Sequence, residues 1–362
     1  MGFLQGPITT IHRHDGVASG LDDRTFAAVI PVAARDTSSD TVLATIEAVA
    51  AVEPAMIAVP VRGQRTAVET LTDSIESVTD RASVIWCDGP AMTSLCADRG
   101  VPLVGKGSDV WLALGPAAEA AEVVCCLDAD ASTVKPDTIR RLVVPLDGNL
   151  LATKAFYTRI EDRRLFGRLA RLLVRPLILT LADRYHHPFI DYLRAFDYPL
   201  AGEIALDRSL VEGLRVPAGM GLEIGTLGEF YRLAGPDTIA QVDLGNHRHD
   251  HRPVDGSNGL VSIAPEVVGA LRAVLEPYDG LSLDATIIDA YVRWAERLID
   301  RYERDATFNG LRYDRVAERA QVEEYRSSIE APREPRWMPA WSTVDLDPAQ
   351  VLEVGCPPGV TT

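Results

Sequence analysis

A pair of aspartates that follows an apolar run is the first candidate for chemistry. The sequence EVVCCLDADAS runs from apolar residues directly into Asp128 and Asp130. In open α/β sheets ligands bind at the carboxyl ends of the strands, so two carboxylates there can share a divalent cation bound to a diphosphate. Mg²⁺ or Mn²⁺ suits such oxygen ligands and neutralises charge on a departing nucleotide. The alternative is a polar turn, because aspartate also forms turns and caps helices.

A histidine cluster is the second candidate. Three of the seven histidines fall within five residues, at His247, His249 and His251. In an extended segment all three would share one face. One interpretation is a binuclear zinc site of the HxHxDH type, although the segment HRHDH is one residue short of that motif. The others are a solvated turn, or a second ligand to the metal held by the aspartate pair.

The elements that must position these residues follow an alternating pattern in the first 155 residues. Short apolar runs predict strands, and helical spacing predicts helices between them. The predicted strands cover residues 26–32, 55–61, 82–87 and 122–127, and the predicted helices cover 41–52, 66–78, 108–121 and 136–143. This alternation favours βαβ units, a largely parallel sheet and an α/β nucleotide-binding layout.

The remainder of the chain is predicted to be more helical. Helical spacing covers residues 162–181, 223–233 and most of 264–326, and a strand is predicted at 237–244. The tail from 331 onward has no clear periodicity and is expected to lie on the surface or on a partner subunit. We therefore divide the chain into an N-terminal arm, a nucleotide-sugar half, an acceptor half, a helical region and a tail: residues 1–25, 26–160, 161–260, 261–330 and 331–362.

Composition excludes several classes of function. With 36 basic and 52 acidic residues the net charge is −16, and only three residues are lysines. Nucleic acids and anionic membranes are therefore poor partners, because both require a cationic surface. Stable membrane insertion is not expected, because no window has 18 uncharged apolar residues. The five cysteines lack CxxC spacing, which favours a reducing, cytoplasmic location.

The same composition bears on the kind of organism that produces the protein. Asp-rich, Lys-poor sequences that retain arginine resemble proteins of salt-accumulating microbes, in which molar salt screens self-repulsion. The alternative is an ordinary acidic protein from a GC-rich genome.

Further motifs extend the pattern beyond the two clusters. The segments PLAGE (Pro199–Glu203), GLEIG (221–225) and AQVDLG (240–245) precede the histidine cluster. Together they resemble the glucosyl-3-phosphoglycerate synthase family of retaining glycosyltransferases, related to families 2 and 81, from about Phe26 to about Val254. The resemblance implies an α/β, GT-A Rossmann-like nucleotide-diphospho-sugar transferase fold with a mostly parallel central sheet and a helical C-terminal extension. With the composition, it suggests a haloarchaeal member.

The resemblance implies roles on the donor side. Asp130 and His249 match the metal ligands, Asp128 lies near the ribose and donor sugar, and Glu223 contacts the sugar hydroxyls. Asp130, Glu223 and His249 are thus the expected catalytic residues.

Further residues are expected to contact the donor nucleotide. Lys106 in GKG and Pro31 match nucleotide contacts, and Arg252 matches an arginine on the diphosphate. Arg35 stands where the family motif PALNEE has an acidic nucleotide contact, so either a uracil or a guanine base is open.

The acceptor side departs from the family pattern. Gly167 and Arg168 match a loop that opens a helix, where a phosphate or carboxylate binds well. His247 and His251 stand where the family has Arg and Asn, and Ala170 replaces a threonine. These changes leave the identity of the acceptor open.

The expected activity is metal-dependent transfer of a hexose from a UDP- or GDP-hexose to a small anionic acceptor such as 3-phosphoglycerate, with Mg²⁺ or Mn²⁺, by a homodimer. Three alternatives remain. One is a glycosyltransferase with another acceptor, such as glycerate, a lipid or a glycan. A nucleotidyltransferase is disfavoured because AARDTSSD, not a Gly-rich basic loop, follows the first strand. The third is a non-catalytic protein that binds sugar nucleotides.

Overall fold

The computed structural model describes residues 6–13, 24–249 and 259–357. The strands of these residues are β1 Thr9–Ile11, β2 Phe26–Val29, β3 Met56–Val61, β4 Ala82–Trp86, β5 Val123–Cys126, β6 Ala152–Thr158, β7 Ile160–Glu161, β8 Arg164–Leu165, β9 Ile204–Asp207 and β10 Ile239–Asn246. Eight of them form one sheet in the order β1-β10-β6-β9-β5-β2-β3-β4. Strand β9 is antiparallel to both of its neighbours, and the other pairings are parallel.

The α-helices of the described residues are α1 Asp40–Ala50, α2 Arg65–Glu76, α3 Pro90–Asp98, α4 Lys106–Ala120, α5 Pro136–Val143, α6 Arg175–Arg184, α7 Pro188–Ala195, α8 Arg208–Gly213, α9 Leu222–Leu233, α10 Leu260–Leu275, α11 Ile288–Phe308, α12 Arg315–Glu330 and α13 Pro348–Gly355. A π-helix, Leu169–Val174, leads directly into α6. None of the helices in these ranges combines the length and apolarity needed to cross a bilayer.

The central sheet is covered on both faces. Successive side chains of a strand point to opposite faces, and in β2 Ala27 and Val29 join one apolar cluster while Phe26 and Ala28 join the other. Helices α1, α2 and α5 contribute to the second cluster, and α4 with most later helices contributes to the first. Burial on both faces explains why the strands read as continuous apolar runs in the sequence.

The predicted strand–helix alternation up to residue 143 is confirmed, with shifts of a few residues at the element ends. Strands β6 and β9 were not predicted. Strand β6 contains Thr153 and Lys154, which break its apolar run although both side chains are buried. Strand β9 has only four residues, and its antiparallel insertion depends on its neighbours β5 and β6 rather than on its own pattern.

The continuous helix predicted over residues 162–181 is wrong in its first part. Strands β7 and β8 form a small hairpin there, and the helix begins with the π-helical segment. The hairpin turn places Asp162 and Arg163 at positive φ, a backbone conformation that ends a helix rather than continuing it.

The C-terminal tail packs on the nucleotide half of the chain. Trp341 stacks on Trp111 of α4 with ring centroids 4.5 Å apart, and Met338 and Val351 are fully buried. Likewise, residues of the N-terminal arm add β1 to the edge of the sheet beside β10. Residues near both ends of the chain therefore pack against the sheet and its helices.

Candidate active site

A cleft of about 330 Å³ lies where the parallel strands end. Segments that follow β2, β3, β5, β6 and β10 all contribute side chains to its wall, together with the start of α4 and the turn before the π-helix. Its charged and polar lining residues are Arg35, Asp36, Arg62, Lys106, Asp109, Asp128, Asp130, Arg159, Arg168, Tyr198, Glu223 and His249. The predicted donor-side contact Pro31 also lines it.

The aspartate pair and His249 converge at one end of this cleft. His249 Nδ1 lies 3.4 Å from Asp130 Oδ1 and 4.0 Å from Asp128 Oδ2. The backbone explains the approach, because Ala131 and His249 form an antiparallel bridge and Ser132 N donates to the Arg248 carbonyl at 2.9 Å. The chain after β10 is thereby held alongside the chain after β5.

The charges of this cluster are strongly coupled. Burial raises the pKa of Asp128, while Lys106 opposes the rise. Burial also opposes ionisation of Asp130, but the hydrogen bond and charge of His249 and the charge of Lys106 outweigh it and lower the pKa of Asp130. The pKa of His249 is raised, since the hydrogen bond with Asp130 and the nearby carboxylates outweigh burial. The site thus favours positive charge beside its carboxylates.

The donor atoms fit a hard divalent cation. Ligand atoms of Asp128, Asp130 and His249 all lie within 4.8 Å of one another. Adjacent ligands on an octahedral ion with bonds of 2.0–2.1 Å are about 3 Å apart, close to the 3.4 Å between His249 and Asp130. The two carboxylates of this set suit Mg²⁺ or Mn²⁺.

Lys106 joins the aspartate pair to the opposite wall. Its Nζ donates to Asp128 Oδ1 at 2.6 Å and to Glu223 Oε1 at 2.9 Å. Burial lowers the pKa of Lys106, but both carboxylates more than compensate and hold it above the ordinary value. The helix carrying Lys106 can start here because Gly107 packs on the Pro217 carbonyl, where a Cβ would stand only 1.8 Å from that oxygen.

Two further cations, Arg159 and Arg168, line the same cleft. Gly167, at φ +77°, lets the chain turn into the π-helix, and a Cβ there would stand 2.9 Å from the Tyr198 hydroxyl. Arg168 follows on the cleft wall, and Arg159 is hydrogen-bonded to Tyr198. Within the described ranges neither Arg159 nor Arg168 pairs with a carboxylate, and the buried Arg159 Nε has no hydrogen-bond partner. These two guanidinium groups are therefore available to an anion.

Comparison with known proteins identifies the family. The glucosyl-3-phosphoglycerate synthase of Methanococcoides burtonii is 35% identical over 263 residues, which are 68% of this chain and 65% of that protein. The synthase of Persephonella marina is 31% identical over 273 residues, 70% of this chain and 67% of that protein. No protein-family model matches the chain. The chain belongs to the glucosyl-3-phosphoglycerate synthase family.

A solved structure of the family supports the fold. Glucosyl-3-phosphoglycerate synthase from Mycobacterium tuberculosis, in complex with Mn²⁺, uridine diphosphate and phosphoglyceric acid, superposes with a TM-score of 0.58 at 26% identity, covering 75% of this chain and 87% of that one. The same enzyme has been solved with Mg²⁺ and uridine diphosphate. The predicted fold class is confirmed.

The match to the Methanococcoides synthase covers 65% of the length of that relative.

Most of the residues predicted from the family resemblance share one cleft. Asp128, Asp130, Lys106, Glu223 and His249 lie together in it, joined by the contacts described above. Gly167 and Arg168 line the same cleft.

The remaining predicted residues are placed differently or lie outside the described ranges. His247 is buried, with its ring nitrogens on Glu203 Oε1 at 3.1 Å and Thr133 Oγ1 at 2.8 Å, and it does not line the cleft. Its predicted contact with an acceptor stays a prediction. His251 and Arg252 fall within residues 250–258, outside the described part of the chain.

Sequence reasoning missed several residues of the site. Arg62 lines the cleft and pairs with Asp109 at 2.6 Å. Arg35 was expected only at the nucleotide, and its contact with Asp130, with Nη2 3.5 Å from Oδ2, was not predicted. Arg159 and Glu203 were also not singled out as functional residues. The only signal for Arg159 was its place just after a strand, which required β6 to be recognised first.

Proposed function

We propose that this chain is a metal-dependent retaining glycosyltransferase that transfers glucose from UDP-glucose to a small anionic acceptor, 3-phosphoglycerate in the first instance. One observation carries the proposal: Asp128, Asp130 and His249 converge in the same cleft as the Lys106–Glu223 pair and two arginines that have no carboxylate partner among the described residues. Family membership supports the reaction, and the relatives are glucosyl-3-phosphoglycerate synthases.

The donor would occupy the end of the cleft that carries the metal ligands. Asp130 and His249 would hold Mg²⁺ or Mn²⁺, with Asp128 beside the ribose and sugar. When bound, the cation neutralises the negative charge on the departing diphosphate. Glu223, fixed by Lys106, would orient sugar hydroxyls, and Pro31 and Arg35 would line the nucleotide. Arg252 would add positive charge at the diphosphate.

The reaction balances without a protein nucleophile. The bond between the anomeric carbon and the donor's phosphate oxygen breaks, and a bond from that carbon to the acceptor hydroxyl oxygen forms on the same face. The acceptor proton passes to the leaving diphosphate. The protein would supply orientation and preorganised charge, which are large contributors to such catalysis.

The acceptor would lie beside Gly167, Arg168 and Arg159. Two guanidinium groups that lack a carboxylate partner in the described part of the chain suit a phosphate or carboxylate, which they can bind through paired hydrogen bonds. His247 and His251 remain proposed acceptor contacts. A second candidate, transfer to glycerate or a larger acceptor, is favoured by one observation: His247, where the family has arginine, is engaged by Glu203 and Thr133 beneath the cleft.

A donor-by-acceptor activity matrix tests the proposal. UDP-glucose and GDP-glucose would each be combined with 3-phosphoglycerate, glycerate and glycerol 3-phosphate, with Mg²⁺ or Mn²⁺, in low and molar KCl. Product with UDP-glucose and 3-phosphoglycerate is expected, and Asp130→Ala should abolish it without changing the circular dichroism spectrum. Retained turnover in Asp130→Ala would refute the assignment, and product with glycerate alone would select the second candidate.

We infer further properties that rest on sequence. The family's GT-A domain would comprise residues 26–260, with the arm, helical region and tail as additions, and the helical region would provide a homodimer interface. Light scattering tests the dimer.

The acid excess would reflect a salt-accumulating, haloarchaeal host. Molar KCl should then raise the urea concentration at the midpoint of unfolding, and an unchanged midpoint would contradict this. The buried cysteines Cys87, Cys96, Cys125 and Cys126 form no disulfide among the described residues, which is consistent with a reducing cytosol.

A further inference from the structure

Glu203 is a fully buried carboxylate beneath the metal end of the cleft. Its side chain is 0% exposed and it does not line the cleft. It directly precedes β9, and its backbone carbonyl accepts from Ala155 N of β6 at 2.9 Å, so the residue is held in the middle of the sheet. Burying a carboxylate costs free energy unless polar groups compensate its charge. The groups around Glu203 should therefore include such partners.

Two imidazoles face this carboxylate. Oε1 lies 3.1 Å from His247 Nε2 and 3.8 Å from His249 Nε2. The other nitrogen of His247 is anchored on Thr133 Oγ1 at 2.8 Å. Because Thr133 follows Asp130 in the same turn, the contact ties Glu203 to the segment that carries the metal ligands.

The two nitrogens of His249 face different partners. Nδ1 points to Asp130 and Asp128, and Nε2 points to Glu203. Among the described residues, His249 Nε2 and Glu203 Oε2 are both buried polar atoms without a hydrogen-bond partner. A shift of about 1 Å would bring the 3.8 Å separation to hydrogen-bond length. The ring itself is confined by Tyr157 and His247, at centroid distances of 5.5 and 4.8 Å.

We propose that Glu203 is a positioning residue that accepts the Nε2 proton of His249 and thereby presents the Nδ1 lone pair to the divalent cation held with Asp130. The proposal rests on the proposed function for the presence of that cation. A neutral imidazole carries one proton, so a carboxylate at Nε2 selects the tautomer in which Nδ1 is the free ligand. His247 and Thr133 keep the carboxylate in place.

A competing account makes Glu203, His247 and His249 a second metal site, since their ligand atoms lie within 4.8 Å of one another. Burial argues against it. Glu203 and His247 are 0% and 2% exposed, and His249 alone of the three lines the cleft. Among the described residues, Glu203 and His247 do not open to the cleft, so an ion would have to pass the His249 ring, whereas a proton on Nε2 would not.

Nitrogen NMR on the wild-type chain tests the tautomer directly. With ¹⁵N-labelled histidine, Mg²⁺ and UDP, long-range proton–nitrogen spectra distinguish Nε2–H from Nδ1–H, and His249→Asn identifies the signal. The expected result is an Nε2–H tautomer for His249. An Nδ1–H tautomer in the Mg²⁺ complex would overturn the proposal, and this measurement needs no variant of Glu203 to fold.

Metal affinity provides the second readout. Mn²⁺ binding in the presence of UDP would be titrated by electron paramagnetic resonance for wild type, Glu203→Gln and the control Glu229→Gln. Glu229 is also a buried carboxylate, but it pairs with Arg215 and Arg232. Loss of a carboxylate behind a ligating histidine weakens metal binding about 10- to 100-fold, so that loss is expected for Glu203→Gln, with no change for Glu229→Gln.

The outcomes separate this proposal from the proposed function. Wild type that binds Mn²⁺ while Glu203→Gln binds equally well overturns the role of Glu203 alone. Wild type that does not bind Mn²⁺ overturns the metal site and, with it, both proposals. Two Mn²⁺ ions per wild-type chain, reduced to one in Glu203→Gln, would show the second metal site and overturn the positioning role.

Discussion

Lys106 and Glu223 lie 117 residues apart in the chain and meet across the cleft, with Lys106 Nζ 2.9 Å from Glu223 Oε1. The same ammonium also contacts Asp128 at 2.6 Å. One ammonium thus bridges two carboxylates and joins α4 and α9 to the end of β5. The contact links Glu223, the residue expected on the donor sugar, to the aspartate pair proposed to hold the cation.

Replacing Lys106 by methionine tests this link. The change keeps most of the side-chain volume but leaves Asp128 and Glu223 without their cation. Hydrogen bonds to charged groups contribute about 1.5–3 kcal/mol, so we expect kcat/KM for UDP-glucose to fall about 10- to 100-fold. Steady-state kinetics at fixed 3-phosphoglycerate measure this fall.

Lys135→Met is the matched control for that substitution, because Lys135 is exposed and forms no ion pair within the described ranges. We expect its kinetics to match wild type. Equal losses in both variants would show that the effect of Lys106 is not specific to the cleft.

Arg159 offers a test of the acceptor end. Arg159→Gln removes a guanidinium group that has no carboxylate partner among the described residues, so the loss should affect an anionic acceptor more than the donor. We expect KM for 3-phosphoglycerate to rise about tenfold or more, while KM for UDP-glucose stays within twofold. Initial rates with each substrate varied in turn provide both values.

The control for Arg159 is Arg163→Gln. Arg163 is exposed in the turn between β7 and β8 and donates to the Gly310 carbonyl at 2.8 Å. Its removal changes the net charge by the same amount without touching the cleft. If Arg163→Gln raises KM for 3-phosphoglycerate equally, general electrostatics and not a local contact would explain the result.

Lys154 makes a prediction about pH and stability. Burial lowers the pKa of Lys154 from 10.5 to about 8, and nearby carboxylates only partly oppose it. Its Nζ donates to the Ala201 carbonyl at 2.5 Å inside the core. Between pH 8 and 10.5 the unfolded chain binds the proton more readily than the folded chain, so this lysine makes stability rise with pH across that window.

The size of this effect follows from the pKa difference. At pH 7 the folded chain bears the full cost of the buried charge, about 3 kcal/mol, and above pH 10.5 that cost disappears. The free energy of unfolding of wild type relative to Lys154→Met should therefore rise by about 3 kcal/mol from pH 7 to 10.5 in urea titrations. The exposed-lysine variant Lys135→Met should show no such trend, and a flat difference for Lys154→Met would disprove the assignment.

The local sequence was sufficient for the elements with strong periodicity. Strands β2 to β5 and helices α1, α2, α4 and α5 follow from apolar runs and helical spacing, because strands buried on both faces leave a continuous apolar signal. The short helix α3 was not predicted. Strands β6 and β9 could not be predicted in the same way. Buried Lys154 interrupts the first, and the second is short, so only pairing with neighbouring strands defines them.

The candidate site likewise has one part that the local sequence indicated and one part that only the tertiary structure determined. Residue types were sufficient to propose a cation at Asp128 and Asp130 and to mark the histidine cluster, since carboxylates after a strand and clustered imidazoles are chemically informative. The choice of Asp130 and His249 as the metal ligands came from the family resemblance and stays a prediction. Tertiary structure alone brought His249 to the aspartates, set Glu203 behind its ring and turned His247 away from the cleft. These relationships depend on which strand ends lie side by side and on which nitrogen of a ring faces which carboxylate. Neither is encoded in the spacing of residues along the chain, because contacts between distant segments arise only when the sheet is assembled.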